Sequence, residues 1–310
     1  MTESSAKPFL TTIAKGFLMG AADVVPGVSG GTMAVVLGIY QRLINAIRAF
    51  DTRFVRHVIR AELGQAAAHT DLRFLLPLGV GIFSALMFFT RVVSLPTLIR
   101  THPEPVYGLF FGLIAASIII LLRSFKGFGG ADMLALIFGV AVGFGLVNLV
   151  PTATPETPWF VFFSGALAIC AMILPGISGS FILLILQKYA YIFDAVGRLD
   201  FSVLLPFGLG AATGLLLFSR LLAFLLERCY RLTVNAIIGL LIGSLWLIWP
   251  FQLRVEVVVD GTSRMLRSTP YLPQSFNSNV VAAIVLAGIG TAAVLALHRA
   301  ASVRGLPDHV

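Results

Sequence analysis

The chain has 310 residues, 58% of them hydrophobic and only 12% charged, with a mean hydropathy of +0.95. That is too little polar surface to cover a soluble globule, so the sequence reads as an integral membrane protein. The net charge of +8 comes mostly from residues flanking apolar runs, which is how membrane topology is encoded, so phospholipid headgroups rather than nucleic acid are the expected anionic neighbours.

The apolar runs have helix length, and no series of alternating ten-residue strands occurs, so the expected fold is an all-α polytopic membrane protein. Two cysteines, Cys170 and Cys229, give no disulfide framework. Lys7 and Lys15 precede the first apolar run, but that run contains Asp23 and lacks a cleavage signal, so no signal peptide is expected.

In chain order, the first element is a broken apolar hairpin over 12–47, interrupted at Pro26-Gly27-Val28-Ser29-Gly30. An amphipathic segment over 41–63 follows, with Leu43, Ile47, Phe50, Phe54 and Val58 on one face and Arg42, Arg53, Arg56 and Arg60 on the other. It reads as a helix lying on the membrane surface. Transmembrane helices are expected at about 74–99, 105–123 and 133–150, and a linker at 151–158.

The pattern then recurs. At a shift of 149, Pro26, Gly27, Ser29, Gly30 and Tyr40 meet Pro175, Gly176, Ser178, Gly179 and Tyr189. The second half, 159–298, reads as a broken hairpin over 159–196 and helices at about 202–226, 233–250 and 279–298. A tail over 299–310 closes the chain. Further matches are Leu75 to Arg91 with Leu204 to Arg220, each placing an arginine sixteen residues after its first leucine, and Gly112 to Ser117 with Gly239 to Ser244. The unit is therefore duplicated, as 1–150 and 159–298 joined by the 151–158 linker. Arg254 to Arg267, with alternating valines before Asp260-Gly261, reads as a β-hairpin.

If each broken hairpin is re-entrant, each half has three crossings and the halves are inverted. With a cytoplasmic N-terminus, about fourteen Lys and Arg then fall inside and about six outside. If the hairpins crossed fully, each half would have four spans and the halves would be parallel; the charge bias favours inversion. Broken helices in corresponding positions of two halves point to a transporter's binding site, because unwound backbone in a bilayer is tolerated where it lines a site.

Each break exposes amide N–H groups before a new helix begins, and such a helix start can hold a phosphate or carboxylate. The candidate phosphate-binding residues are Gly27, Ser29, Gly30, Gly31 and Thr32 in the first break, and Gly176, Ser178, Gly179 and Ser180 in the second. The opposing reading is that the glycines only allow close packing. Arg91 and Arg220 lie far along matching helices, where a guanidinium needs an anion or a path to the interface. Asp23, matched by Met172, is the candidate proton-coupling residue. Asp132 and Glu227 are expected to face water near helix ends.

Gly27 to Gly31 satisfies G-x-S-x-G, but a nucleophilic serine needs a base, and all five histidines fall in loops or at helix ends. No His, Cys, Asp and Glu cluster has metal-ligand spacing and no Walker loop occurs, so neither a metal nor a cofactor is expected, and the chain is not read as an enzyme.

The phrases GAADVVPGVSGGTMAVVLGIY and AICAMILPGISGSFILLILQKY resemble the polyprenyl-phosphate transporter family, PopT, and the resemblance runs from about Ala14 to about His298. It implies return of undecaprenyl phosphate from the outer to the inner leaflet of the bacterial cytoplasmic membrane, for reuse in envelope synthesis, with a proton or sodium ion as candidate coupling species. A transporter of a small soluble anion would present the same helix ends. An intramembrane hydrolase is the remaining alternative.

Overall fold

The computed structural model describes residues 3–25, 28–93, 95–125, 127–149, 151–152, 154–259 and 262–303. Among them six helices are long and apolar enough to cross a membrane, three in each half of the chain. The protein is a multi-pass, mostly helical membrane protein. Its two compact units cut across the sequence halves: one joins residues 1–94 with 151–234, the other joins 95–150 with 235–310.

The first unit opens with α1, Glu3–Asp23, and the short α2, Gly30–Val36. The chain doubles back between them: Lys15 Nζ, in the middle of α1, donates to the carbonyl of Leu37, just past α2, at 3.1 Å. Instead of one amphipathic helix over 41–63, three short helices follow: α3, Tyr40–Arg48; α4, Thr52–Ile59; and α5, Leu63–His69. Asp51 interrupts the run because its carboxylate accepts from the N–H groups of Arg53 and Phe54, starting a new helix. Then α6, Leu72–Arg91, runs alongside α1. It stops short of the expected 99, and α7, Leu95–Thr101, is separate.

The second half repeats this in α10, Pro158–Ile173; α11, Gly179–Ile185; α12, Tyr189–Arg198; and α13, Phe201–Arg228. Here too the chain returns: Thr152 N–H, before α10, donates to Ile185 O at the end of α11 at 2.9 Å. A bend of 106° separates α11 from α12. The repeat is geometric as well as textual. A Cβ on Gly16 would meet Leu78 O and one on the matching Gly165 would meet Phe207 O, while Gly81 faces Ile13 as Gly210 faces Phe162. Small residues let these backbones touch, which maximises dispersion contact where lipid gives helices no hydrophobic drive to associate.

One helix reports on relative direction. Arg42 of α3 pairs with Asp71 at the start of α6 at 2.7 Å, and Arg48 of the same helix pairs with Glu227 at the end of α13 at 2.5 Å. The start of α6 and the end of α13 therefore lie on one side of this unit.

The second unit contains α8, Pro103–Ser124; α9, Gly130–Val147; α14, Tyr230–Ile248; and α15, Ser278–Val303. Its helices pair crosswise between the halves. Gly112 of α8 packs on Ala287 of α15, and its repeat mate Gly239 of α14 packs on Gly139 and Val140 of α9. Strands β1, Gln252–Val259, and β2, Thr262–Pro270, form the expected antiparallel hairpin with a bulge at Val255 and Glu256. Its Asp260-Gly261 turn lies outside the described residues, as does 304–310 of the tail; α15 continues through 299–303.

One acid departs from the water-facing expectation. Asp132 is buried, accepting from Gly129 N–H at 2.9 Å to cap α9 and from Asn235 of α14 at 3.4 Å. Glu227 is exposed at the end of α13, as expected, and pairs there with Arg48.

Candidate functional site

The two breaks meet. Gly176 N–H of the second donates to Thr32 Oγ1 of the first at 2.8 Å, and Tyr40 hydroxyl donates to Ile173 O at 3.2 Å, both in buried surroundings. A Cβ on Gly31 would lie 2.8 Å from Ile173 O, so glycine lets α2 sit against the end of α10. Gly176 has φ +89, a left-handed turn that side chains resist.

The first break satisfies itself. Gly30 N–H donates to Asp23 Oδ1 at 2.6 Å, and a Cβ on Gly30 would collide with that carboxylate. Ser29 Oγ caps α2 by accepting from Thr32 N–H at 3.3 Å. Ser29, Gly30, Gly31 and Thr32 are all buried. The carboxylate of Asp23 thus takes up an amide donor that the sequence reading gave to a phosphate. Thr32 serves the partner break rather than an open pocket. Gly27 lies outside the described residues.

The second break differs because Asp23 is matched by Met172 and Thr32 by Phe181, neither of which can supply the missing acceptor. No side chain caps α11. Ser178 and Ser180 hydroxyls contact each other at 2.8 Å; Ser180 is exposed and Ser178 half-buried, above the buried Gly179. Two hydroxyls and the start of α11 therefore form one accessible polar spot in an apolar stretch.

Arg91 ends α6, and Arg220 lies eight residues before the end of α13. Both are exposed, and neither makes an ion pair with the described residues. Gly214 of α13 packs on Ala166 of α10, and Gly20 of α1 on Ala85 of α6. Extending these parallel registers puts Arg220 level with the second break and Arg91 level with the first. No hydrogen bond joins either guanidinium to a described residue of the breaks.

Sequence reasoning overlooked Lys188. Its side chain is buried, donating to Thr154 O at 2.7 Å between the rings of Phe160 and Tyr191. Thr154 in turn donates through its hydroxyl to Leu186 O. The lysine ties the linker to the end of α11; a lysine after an apolar run looks like any topological charge until the linker is folded over it.

With this geometry in view, relatives sharpen the reading. The VCA0040-like family, described as undecaprenyl phosphate translocase-like, matches residues 19–266, which include both breaks. The chain belongs to this family. Two relatives are each named polyprenyl-phosphate transporter. One, from Vibrio cholerae serotype O1, is 41% identical over 244 residues, covering 79% of this chain and 79% of that protein. The other, from Staphylococcus aureus, is 32% identical over 257 residues, covering 77% of this chain and 85% of that protein. No solved structure matches the chain. In this chain the paired breaks bring polar backbone together between the ends of α1 and α10 and the starts of α2 and α11.

Proposed function

We propose that this protein translocates undecaprenyl phosphate, a polyprenyl phosphate, from the outer to the inner leaflet of the bacterial cytoplasmic membrane by alternating access, returning the carrier for envelope synthesis. The observation that carries the reading is the meeting of two matched breaks, through Gly176 N–H and Thr32 Oγ1, in a chain of this family. A lipid phosphate needs a polar cradle at membrane depth and an apolar exit for its tail. Paired helix breaks offer the first, and the surrounding bilayer offers the second.

The architecture is two inverted repeats, each a re-entrant hairpin followed by three spans. The returns at Leu37 and Ile185, and the placement of the start of α6 beside the end of α13, support it. The excess of basic residues assigned inside puts both termini in the cytoplasm.

In this state the phosphate is received at the second break by Ser178, Gly179 and Ser180, with Arg220, level with that break, supplying charge-assisted hydrogen bonds, while Gly176 N–H is held by Thr32 and Arg91 stands level with the first break. The first break, with Ser29, Gly30, Gly31 and Thr32, is held by Asp23. Protonation makes that carboxyl a weaker acceptor and frees Gly30 N–H for the substrate, which links proton uptake to the handover. The tyrosines mark the two states. Tyr40 is buried on Ile173 O, whereas its mate Tyr189 is half-exposed, its ring tilted at 35° to that of Phe193 with centroids 4.6 Å apart. Exchanging the conformations of the halves would bring Tyr189 to Val24 O, the carbonyl matching Ile173.

The test is leaflet movement of undecaprenyl phosphate in proteoliposomes, with and without a proton or sodium gradient. Movement that depends on the protein and falls at least about tenfold in Arg220→Ala and in the Ser178→Ala/Ser180→Ala pair is the expected result, a loss equivalent to one charge-assisted contact. Efficient competition by inorganic phosphate would instead mark a carrier of small anions.

A further inference from the structure

The two halves are not equal in length. The repeat shift is 149 at Tyr40 and Tyr189 but 129 at Leu75 and Leu204, so the first half holds twenty additional residues between its hairpin and its first span. In the second half, α12 runs into α13 across only Leu199 and Asp200. In the first, the extra chain forms α4 and α5. The duplicated fold does not need this insert, so its surface calls for a separate explanation.

That surface is two-toned. α4 buries no residue and packs on α5. Val55 is 52% exposed, Ile59 79% and Leu63, at the start of α5, 67%. Beside this apolar stripe, Arg53, Arg56 and Arg60 share one exposed helical edge, at i, i+3 and i+7. The acids of the segment are already committed: Asp51 to His69 at 3.0 Å, Glu62 to His57 at 2.7 Å and Asp71 to Arg42. None of the three arginines forms an ion pair with the described residues. The two histidine bridges clip α4 to α5, so the insert is held as one rigid paddle.

We propose that this insert is a docking surface for anionic phospholipid headgroups, lying on the bilayer face at which α6 begins. Val55 and Ile59 enter the interface while Arg53, Arg56 and Arg60 bind phosphate oxygens beside them. Charge complementarity selects the occupant. A zwitterionic lipid surface would satisfy the apolar stripe but balances each phosphate with its own choline cation, whereas phosphatidylglycerol offers net negative charge to the three guanidinium groups as well.

The experiment places an environment-sensitive NBD label on Ile59→Cys, in full-length protein carrying Cys170→Ala and Cys229→Ser, reconstituted into phosphatidylcholine vesicles with or without phosphatidylglycerol. Phosphatidylglycerol is expected to shift the emission to the blue and shield the label from iodide. Replacing the three arginines by Gln should cut the docked-to-undocked ratio by on the order of a hundredfold at low salt. Replacing them by Lys should preserve most of it, and 0.5 M salt should weaken it. Equal shielding in both vesicle types, an unaffected Gln triple, a Lys triple as impaired as the Gln triple, or shielding that arises only when a soluble protein is added would each overturn the proposal. The readout does not depend on substrate movement, so failure of the transport reading leaves it interpretable.

Discussion

Thr32 shows how much one hydroxyl decides. It accepts the buried N–H of Gly176 from the other half, so Thr32→Val keeps the shape and strands a donor, at a cost of about 1–3 kcal/mol. Thermal unfolding in detergent should show that loss for Thr32→Val and little of it for Thr32→Ser. Asp23→Asn keeps an acceptor for Gly30 N–H but removes the ionisable group. Translocation by that variant should no longer respond to an imposed pH gradient, and an unchanged response would remove Asp23 from coupling. At the surface, Asp51 lies below the ordinary carboxylate range: partial burial pushes it up, but the hydrogen bonds from Phe54 N–H, His69 and Arg53 N–H outweigh that. Because the folded value is the lower one, its stabilisation is present above the unfolded value near 4 and is lost as pH falls through the folded value. Unfolding temperatures of wild type and Asp51→Asn should therefore converge on acidification from pH 7. These residue roles were only partly legible in sequence. The serines and glycines were visible as a motif, but which donors were already taken depended on Asp23 folding back across seven residues.

At the scale of elements, hydropathy pointed to the six helices that, among the described residues, are long and apolar enough to span, because an apolar run of this length satisfies its backbone in lipid as a helix. Boundaries were less legible. The end of α6 at Arg91 and the splitting of 41–63 follow from local capping and turn geometry inside continuous patterns. Helix pairing is set by glycine. A Cβ on Gly112 would sit 2.0 Å from Ala287 O, and one on Gly239 would sit 2.2 Å from Leu136 O. Gly112→Ala and Gly239→Ala should each destabilise by about 1–3 kcal/mol or more through overpacking. Gly145→Ala and Gly288→Ala, where a Cβ meets open space, should not. Equal melting temperatures across the four variants would refute this account of the packing.

For the whole molecule, the crosswise pairing of α8 with α15 and α9 with α14 means that neither sequence half is a compact body by itself. The proposed exchange of the two hairpins can be followed directly. In protein without its native cysteines, a short thiol cross-linker joining Tyr40→Cys to Ile173→Cys should arrest translocation. Joining Val24→Cys to Tyr189→Cys should become efficient only under turnover with substrate. Cross-linking of the second pair that ignores substrate would argue against alternation.

Composition, apolar run length and the doubled phrase determined the membrane class, the helical fold, the duplication and the location of the two breaks, since each of these follows from short-range chemistry repeated along the chain. Tertiary structure alone decided that the breaks meet asymmetrically, that Asp23 fills one of them and leaves Ser178 and Ser180 accessible in the other, and that Lys188 is buried. Those outcomes rest on contacts between residues up to 144 apart, and a hydrogen bond across such a separation leaves no periodicity for a linear reading to detect.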